Sequence, residues 1–155
     1  MTTRVDPNVM IEVKDFGAVG IEKCFNCGNC TAICPLASDK YPFPRNMIRM
    51  VQIGDKERLK QSIDPWLCYY CGECSETCPK GAEPGETMMA MRRWLTAQYD
   101  WTGISRKTYT SKVWIVGMLL LAVVIVVVLA TMLHGPMITS QVELNTFAPV
   151  EIIHT

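Results

Sequence analysis

The longest apolar segment of the chain lies near its C-terminal end. Residues 113–133 read VWIVGMLLLAVVIVVVLATML and contain no charged side chain. As a helix, this segment would span roughly 31 Å, about the thickness of a hydrocarbon core. It starts too far along the chain to be read as a signal peptide. A buried helix of a soluble protein is the alternative, but such helices rarely run this long without a polar face. We therefore predict a transmembrane helix over 113–133.

Upstream of this segment the apolar residues recur with helical periodicity. Within GETMMAMRRWLTAQY, four side chains share one helical face: Met88, Met91, Leu95 and Tyr99. A methionine-rich face can serve as a partner groove, but ordinary core packing is the preferred interpretation. Little strand is expected in this part of the chain beyond the segment VMIEV near the N-terminus.

The stretch before residue 68 is predicted to be a loop followed by two helices. Three prolines in PLASDKYPFP (35–44) disfavour regular structure. Pro44 suits a first helical turn and Gly54 a helix end, with Met47, Met50 and Val51 on one face. A shorter helix is predicted from the N-cap Asp55 to about Ser62, before Pro65 ends it.

Charge is distributed unevenly along the 155 residues. The formal net charge of +0 gives no reason to expect nucleic acid as a partner. Every Lys and Arg lies at or before Lys112, and the residues after it contain only Glu143 and Glu151 as charged groups. By the positive-inside rule, residues 1–112 are predicted to be cytoplasmic, with the chain crossing the cytoplasmic membrane once. Structural disulfides are then not expected, because the cytoplasm is reducing.

Two cysteine runs share one spacing. CFNCGNCTAICP (24–35) and CYYCGECSETCP (68–79) both read C-x-x-C-x-x-C-x-x-x-C-P, a spacing typical of cubane iron–sulfur clusters in which the fourth cysteine ligates the other cluster. The first [4Fe–4S] cluster is therefore assigned to Cys24, Cys27, Cys30 and Cys78. The second is assigned to Cys68, Cys71, Cys74 and Cys34. Thiolate is a soft ligand that suits such clusters.

Two structural zinc sites are the alternative. Zinc sites with four cysteines usually combine two separated C-x-x-C pairs, and neither run has that form. We therefore prefer iron–sulfur clusters.

Charged neighbours differ between the two runs. Lys23 and Lys80 flank the first predicted cluster, whereas Glu73 and Glu76 lie beside the second. Positive charge favours an added electron, so the first cluster is predicted to have the higher potential. The alternative is that these side chains are screened by solvent and have little effect.

No other catalytic apparatus is recognisable in the sequence. There is no Gly-rich phosphate loop before a helix. The two histidines, His134 and His154, both follow the apolar segment, so no Ser-His-Asp triad is predicted. His134 is a candidate haem ligand only if further membrane helices pack beside it, and a solvent-facing histidine is the preferred interpretation.

The sequence resembles a known family. The two cysteine runs, the YPFPR motif and PWLCYYCGECSETCPKGAEPGE look like the C subunit of heterodisulfide reductases. The appended apolar segment looks more specifically like the C subunit of the quinone-interacting membrane-bound oxidoreductase of sulfate reducers. The resemblance covers residues from about 15 to 112 well, and the eight cysteines match position for position.

The resemblance implies an electron-transfer subunit with no substrate chemistry of its own. Such a subunit relays electrons between a menaquinone pool, or a membrane cytochrome b, and cytoplasmic flavin and iron–sulfur subunits. The family's membrane portion has several helices, whereas one is predicted here. Haem b and menaquinone are therefore expected in a partner or in a further C-terminal region. An iron–sulfur subunit of a succinate dehydrogenase- or glycolate oxidase-like flavoenzyme and a membrane-tethered redox sensor are the alternatives.

The predicted fold class is mainly α, a helical two-[4Fe–4S] ferredoxin domain followed by one transmembrane helix. Clusters are expected to stabilise a domain too small to rely on its hydrophobic core. The predicted segments are an N-terminal extension (1–14), the dicluster domain (15–99), a basic juxtamembrane connector (100–112), the transmembrane helix (113–133) and an extracytoplasmic tail or loop (134–155).

Overall fold

The computed structural model describes residues 5–134, with Leu133 and His134 described by their backbone alone. The chain divides into two compact units, Met1–Thr110 and Ser111–Thr155. The α-helices of the described residues are α1 (Val9–Asp15), α2 (Asn29–Ile33), α3 (Arg45–Ile53), α4 (Lys56–Gln61), α5 (Asp64–Leu67), α6 (Glu73–Glu76), α7 (Pro84–Tyr99), α8 (Ile104–Thr110) and α9 (Lys112–His134). A 3₁₀ turn covers Ile21–Lys23.

The fold is mainly helical, as predicted. Among residues 5–134 the only β pairing is an isolated bridge between Ser38 and Tyr41. The strand expected for VMIEV is wrong, because these residues begin α1. A strand would place Val9, Ile11 and Val13 on one face. The structure instead buries Val9 and Val13, four residues apart, and leaves Ile11 58% exposed.

Helix α1 is an integral part of the first unit. Its apolar face contacts α3 and α7, and Val9 and Val13 belong to the main hydrophobic core. On its polar side, Glu12 accepts a hydrogen bond from the indole of Trp94 and pairs with Lys56. Residues expected to form an N-terminal extension therefore pack against the dicluster region.

Helix α7 runs through the core, and its methionine stripe packs there as predicted. Met88, Met91 and Leu95 are all buried. Tyr99, the last member of the stripe, is 60% exposed, and its hydroxyl donates a hydrogen bond to the carbonyl of Lys60. The stripe therefore belongs to the core and is not available as a partner groove.

Helices α3 and α4 follow the predicted order, with Gly54 between them. Gly54 has a φ of +75° and closes α3, and the backbone of Asp6 lies directly against it through an N–H···O bond of 2.9 Å to the Gly54 carbonyl. Asp55 then caps α4 by accepting a hydrogen bond from the amide of Arg58 at 3.3 Å. Pro65 was expected only to end α4, but it lies in the first turn of the additional short helix α5, where proline is tolerated.

The predicted connector 100–112 is largely helical. Asp100 begins it by accepting hydrogen bonds from the amides of Thr102 (2.8 Å) and Ser105 (2.7 Å). These bonds position the start of α8, and within the first unit Tyr109 of α8 makes an edge contact with Phe16 at a centroid distance of 6.4 Å.

The second unit is described through α9, Lys112–His134. Within residues 5–134 this is the one helix long and apolar enough to cross a membrane. It contains the whole predicted span 113–133 and continues through His134. The rest of the predicted tail, with His154, lies outside the described residues.

Candidate iron–sulfur sites

The two cysteine runs adopt the same local backbone. Gly28 and Gly72 lie at equivalent positions with φ of +94° and +88°. Asn26 and Tyr70, two residues earlier, have φ of +60° and +57°. A left-handed conformation at a bulky side chain such as tyrosine costs about 1–2 kcal/mol, so the repeated turn is held against local preference. This turn directs the cysteines on either side of it toward one enclosed space.

Each turn leads into a short helix, and the two helices pack together. Helix α2 carries Cys30 and helix α6 carries Cys74, and the two helices are in contact. The side-chain amide of Asn29 also donates a 2.6 Å hydrogen bond to the carbonyl of Thr77. The end of the second run is thereby held against the first run.

Two cavities result, each lined by four cysteines. The first has about 340 Å³ of space free of protein atoms and is lined by Cys24, Cys27, Cys30 and Cys78. The second has about 410 Å³ and is lined by Cys34, Cys68, Cys71 and Cys74. The structure therefore brings together the same two sets of thiols that the sequence predicts as cluster ligands.

The arrangement of the thiols suits a group of several atoms. Within the described part of the chain, no group of three or more His, Cys, Asp and Glu residues is arranged to hold a single metal ion. The cysteines instead line the walls of a cavity, and a [4Fe–4S] cluster is held by four cysteine thiolates. Four cysteines around one cavity supply the donor set that such a cluster needs.

Burial raises the pKa of the thiols deepest between the two cavities. Burial first, and then the neighbouring thiols, raises the pKa of Cys74 to about 11. The pKa of Cys30 is also raised, mainly by burial and then by Cys24 and Cys27. Because iron binds thiolate, loading these sites releases protons. Cys30 is among the groups that raise the pKa of Cys74, so the two sites are electrostatic neighbours.

The rims of the two cavities differ in charge. Arg45 and Lys80 line the first cavity, and the ammonium of Lys80 lies 5.8 Å from the ring centroid of Phe25. Glu73 lines the second cavity. Lys80 and Glu73 are therefore placed as the sequence suggested. Arg45 was missed, because it follows a loop and nothing in its spacing connects it with the cysteines.

Three further contacts to the cysteine runs could not be read from the sequence. The amide of Ala82 donates a 3.3 Å hydrogen bond to the sulfur of Cys78. Gln52 donates from its side chain to the carbonyl of Cys24 at 2.8 Å, and Arg92 donates to the carbonyl of Cys68. Gln52 belongs to α3 and Arg92 to α7, so both contacts come from outside the cysteine runs.

Comparison with known proteins agrees with this geometry. Residues 20–82 match the 4Fe-4S dicluster domain family. A protein of Archaeoglobus profundus that is named as similar to the heterodisulfide reductase C subunit is 34% identical over 98 residues, covering 63% of this chain and 52% of that protein. The C subunit of the H(2):CoB-CoM heterodisulfide,ferredoxin reductase from Methanothermobacter marburgensis is 32% identical over 65 residues, covering 41% of this chain and 35% of the relative.

The family match covers all eight cysteines of the two runs. The chain spans about half the length of the first relative and about a third of the second. Residues 20–82 thus match the 4Fe-4S dicluster domain family, and over the aligned length the chain is similar to proteins named as heterodisulfide reductase C subunits or as similar to them.

Proposed function

We propose that this chain relays electrons through two [4Fe–4S] clusters. The ligands of the first would be Cys24, Cys27, Cys30 and Cys78, and those of the second would be Cys68, Cys71, Cys74 and Cys34. One observation carries the proposal: each cavity combines three thiols of one run with the fourth thiol of the other. This is the ligand exchange of two-cluster ferredoxins.

The clusters would supply one-electron chemistry, and the protein supplies their surroundings. Burial raises the pKa of the Cys30 and Cys74 thiols, which line the first and second cavities respectively. The amide of Ala82 directs a hydrogen bond at the sulfur of Cys78, and such bonds raise cluster potentials. The contact of α2 with α6 keeps the sites adjacent, which suits transfer from one cluster to the other.

The proposed route connects a membrane partner with cytoplasmic subunits. Helix α9 would anchor the chain in the cytoplasmic membrane with the dicluster domain on the cytoplasmic side, which is supported by its length and composition and by the basic residues that precede it. Electrons would pass through the two clusters between a quinone- or cytochrome b-containing membrane partner and cytoplasmic flavin and iron–sulfur subunits. Haem b and menaquinone would belong to such a partner or to a further region of the polypeptide.

The test of this route is low-temperature EPR of the complex purified anaerobically from native membranes. Reduced-cluster signals after addition of a menaquinol analogue are expected if both clusters lie on a quinol-linked route. Signals that need dithionite would indicate a lower-potential donor and flow toward the quinone. Zinc in place of iron, with no signal under either reductant, would refute the proposal. A co-purifying succinate dehydrogenase- or glycolate oxidase-like flavoprotein would indicate the alternative flavoenzyme partner.

Serine substitutions test the ligand sets directly. Cys27→Ser marks the EPR signal of the first cluster and Cys71→Ser marks that of the second. We expect Cys78→Ser to perturb the same signal as Cys27→Ser, and Cys34→Ser the same signal as Cys71→Ser. If Cys78→Ser and Cys71→Ser perturb one signal together, each run binds its own cluster and the proposed exchange is wrong.

A further inference from the structure

Two side chains hold the two cysteine runs at equivalent points. On the first run, the amide nitrogen of Gln52 donates to the carbonyls of Ile21 (3.2 Å) and Cys24 (2.8 Å). On the second run, the guanidinium of Arg92 donates to the carbonyls of Pro65 (2.6 Å) and Cys68. In both runs the carbonyls belong to the first cysteine and to the residue three positions before it.

The two side chains come from different helices. Gln52 lies in the last turn of α3. Its side-chain oxygen accepts a 2.7 Å hydrogen bond from the side-chain amide of Asn26, which lies within the first cysteine run. Arg92 lies in the middle of α7 and also reaches the carbonyl of Trp66 at 3.0 Å. Their positions do not follow from the cysteine repeat, so the repeated backbone is secured by two unrelated side chains.

Gln52 and Arg92 differ in charge. The side-chain amide of Gln52 is neutral, whereas the guanidinium of Arg92 carries a permanent positive charge. Arg92 is half-buried and bonded directly to the backbone of a cysteine that lines the second cavity. A half-buried charge is less screened by solvent than the exposed side chain of Lys80. Arg92 therefore places a partly screened positive charge at the backbone of a residue that lines the second cavity.

We infer that Gln52 and Arg92 are paired positioning residues for the two clusters, and that Arg92 also raises the reduction potential of the second cluster. Each fixes the backbone that presents the first cysteine of its triplet. Positive charge beside a cluster favours the reduced form. The positive charge of Arg92 thus offsets the negative charge of Glu73 beside the second cluster. Lys80 and Arg45 raise the potential of the first cluster, so Arg92 makes the difference between the two reduction potentials smaller. This inference rests on the proposed function.

The test is a potentiometric EPR titration of the intact complex carrying single substitutions. Arg92→Gln keeps hydrogen-bond donors and removes the charge, whereas Arg92→Lys keeps the charge and loses the forked donor. For Arg92→Gln we expect a lower midpoint potential of the second cluster. At the wild-type midpoint, the ratio of oxidised to reduced second cluster should rise threefold to tenfold, where tenfold corresponds to about 59 mV for one electron. For Arg92→Lys we expect that ratio to change less than about twofold, with an altered line shape.

Gln52→Leu, in which the donor is lost, is expected to alter the line shape of the first cluster alone. Arg58→Gln removes an equal charge from an exposed side chain of α4 and is expected to leave both clusters unchanged. If Arg92→Gln abolishes the second cluster, an Arg92→Lys variant that retains this cluster at the wild-type potential supports the inference. An unchanged midpoint and line shape in both Arg92 variants, or an equal response of both clusters, would overturn it.

The wild-type titration separates this inference from the proposed function. A wild-type chain with about eight iron atoms and two reducible signals upholds the two-cluster proposal whatever the variants do. A wild-type chain without them refutes the proposed function before Gln52 and Arg92 are tested.

Discussion

The side chain of Glu12 connects α1 to the core, and its removal is expected to destabilise the dicluster domain. One of its carboxylate oxygens accepts a hydrogen bond from the indole nitrogen of Trp94 at 2.9 Å. The ammonium of Lys56 lies 3.0 Å from both oxygens and 5.8 Å from the Trp94 ring centroid. Trp94 is completely buried, and Glu12 is the acceptor for its indole N–H.

Two substitutions of Glu12 separate the contribution of its hydrogen bond with Trp94 from that of its ion pair with Lys56. Glu12→Ala leaves the buried Trp94 N–H without a partner, which costs about 1–3 kcal/mol. It also removes the ion pair with Lys56, whose side chain is 22% exposed, adding up to about 1 kcal/mol. Glu12→Gln keeps an acceptor for Trp94 and loses only the charge. We therefore expect a loss of about 1–4 kcal/mol for the alanine variant and up to about 1 kcal/mol for the glutamine variant.

These losses are measurable as shifts in the apparent melting temperature. For a domain of this size, 1 kcal/mol corresponds to about 4–8 °C. The assay follows cluster absorbance and far-UV circular dichroism of the detergent-solubilised protein, at one scan rate because cluster loss makes unfolding irreversible.

The exposed pair Lys14–Glu22, at 3.2 Å, supplies the control. Lys14→Gln is expected to have no measurable effect, because exposed ion pairs contribute little. Equal melting temperatures for Glu12→Ala and Glu12→Gln would refute the reasoning, since the hydrogen bond to Trp94 distinguishes them. Wild-type melting in Glu12→Ala would show that the contacts of Glu12 do not stabilise the domain.

Three further predictions concern other sites. Gly54→Ala should destabilise the first unit by more than the roughly 1–2 kcal/mol of a left-handed alanine, because its Cβ would lie 2.0 Å from the Asp6 carbonyl oxygen; thermal loss of cluster absorbance measures this. Hydrogen bonds from Thr102 and Ser105 hold the pKa of Asp100 well below its usual range, so its stabilisation of α8 should be complete above the ordinary aspartate pKa and be lost progressively as pH falls from there through the lowered value. Hydrogen exchange of residues 103–110 tests this, and Asp100→Ala should lose the protection already at neutral pH. Lys80→Gln should lower the potential of the first cluster alone in an EPR titration; a shift of the second cluster would contradict the assignment.

Features carried by local spacing could be predicted from the sequence. The cysteine spacing predicted the two sets of thiols that line the cavities. Apolar periodicity predicted α7 and its buried methionines, and the capping residue Asp55 predicted the start of α4. Each of these signals lies within one element or within a repeat, where the identity of a residue and its spacing determine its local role.

Features that depend on distant contacts could not be predicted. Gln52 and Arg92 reach carbonyls 28 and 24 residues away along the chain, and no local pattern relates them to the cysteines. The segment VMIEV at the start of α1 was expected as a strand, because a short, mostly apolar run fits a strand as well as a helix. Burial of Val9 and Val13 against other helices decided between the two. Tertiary packing outweighs local propensity in such short segments.

Because each proposed ligand set takes thiols from both cysteine runs, assembly and loss of the two clusters are expected to be coupled. In the proposed ligand sets, Cys78 completes the first site and Cys34 the second, so each cluster would cross-link the two halves of the domain. During synthesis, neither site is complete until the second run has left the ribosome. Decay is coupled in the same way, because losing one cluster frees a thiol and loosens the packing around the other. We therefore expect oxygen to release iron in one cooperative phase, which a time course with a colorimetric chelator would distinguish from two independent phases.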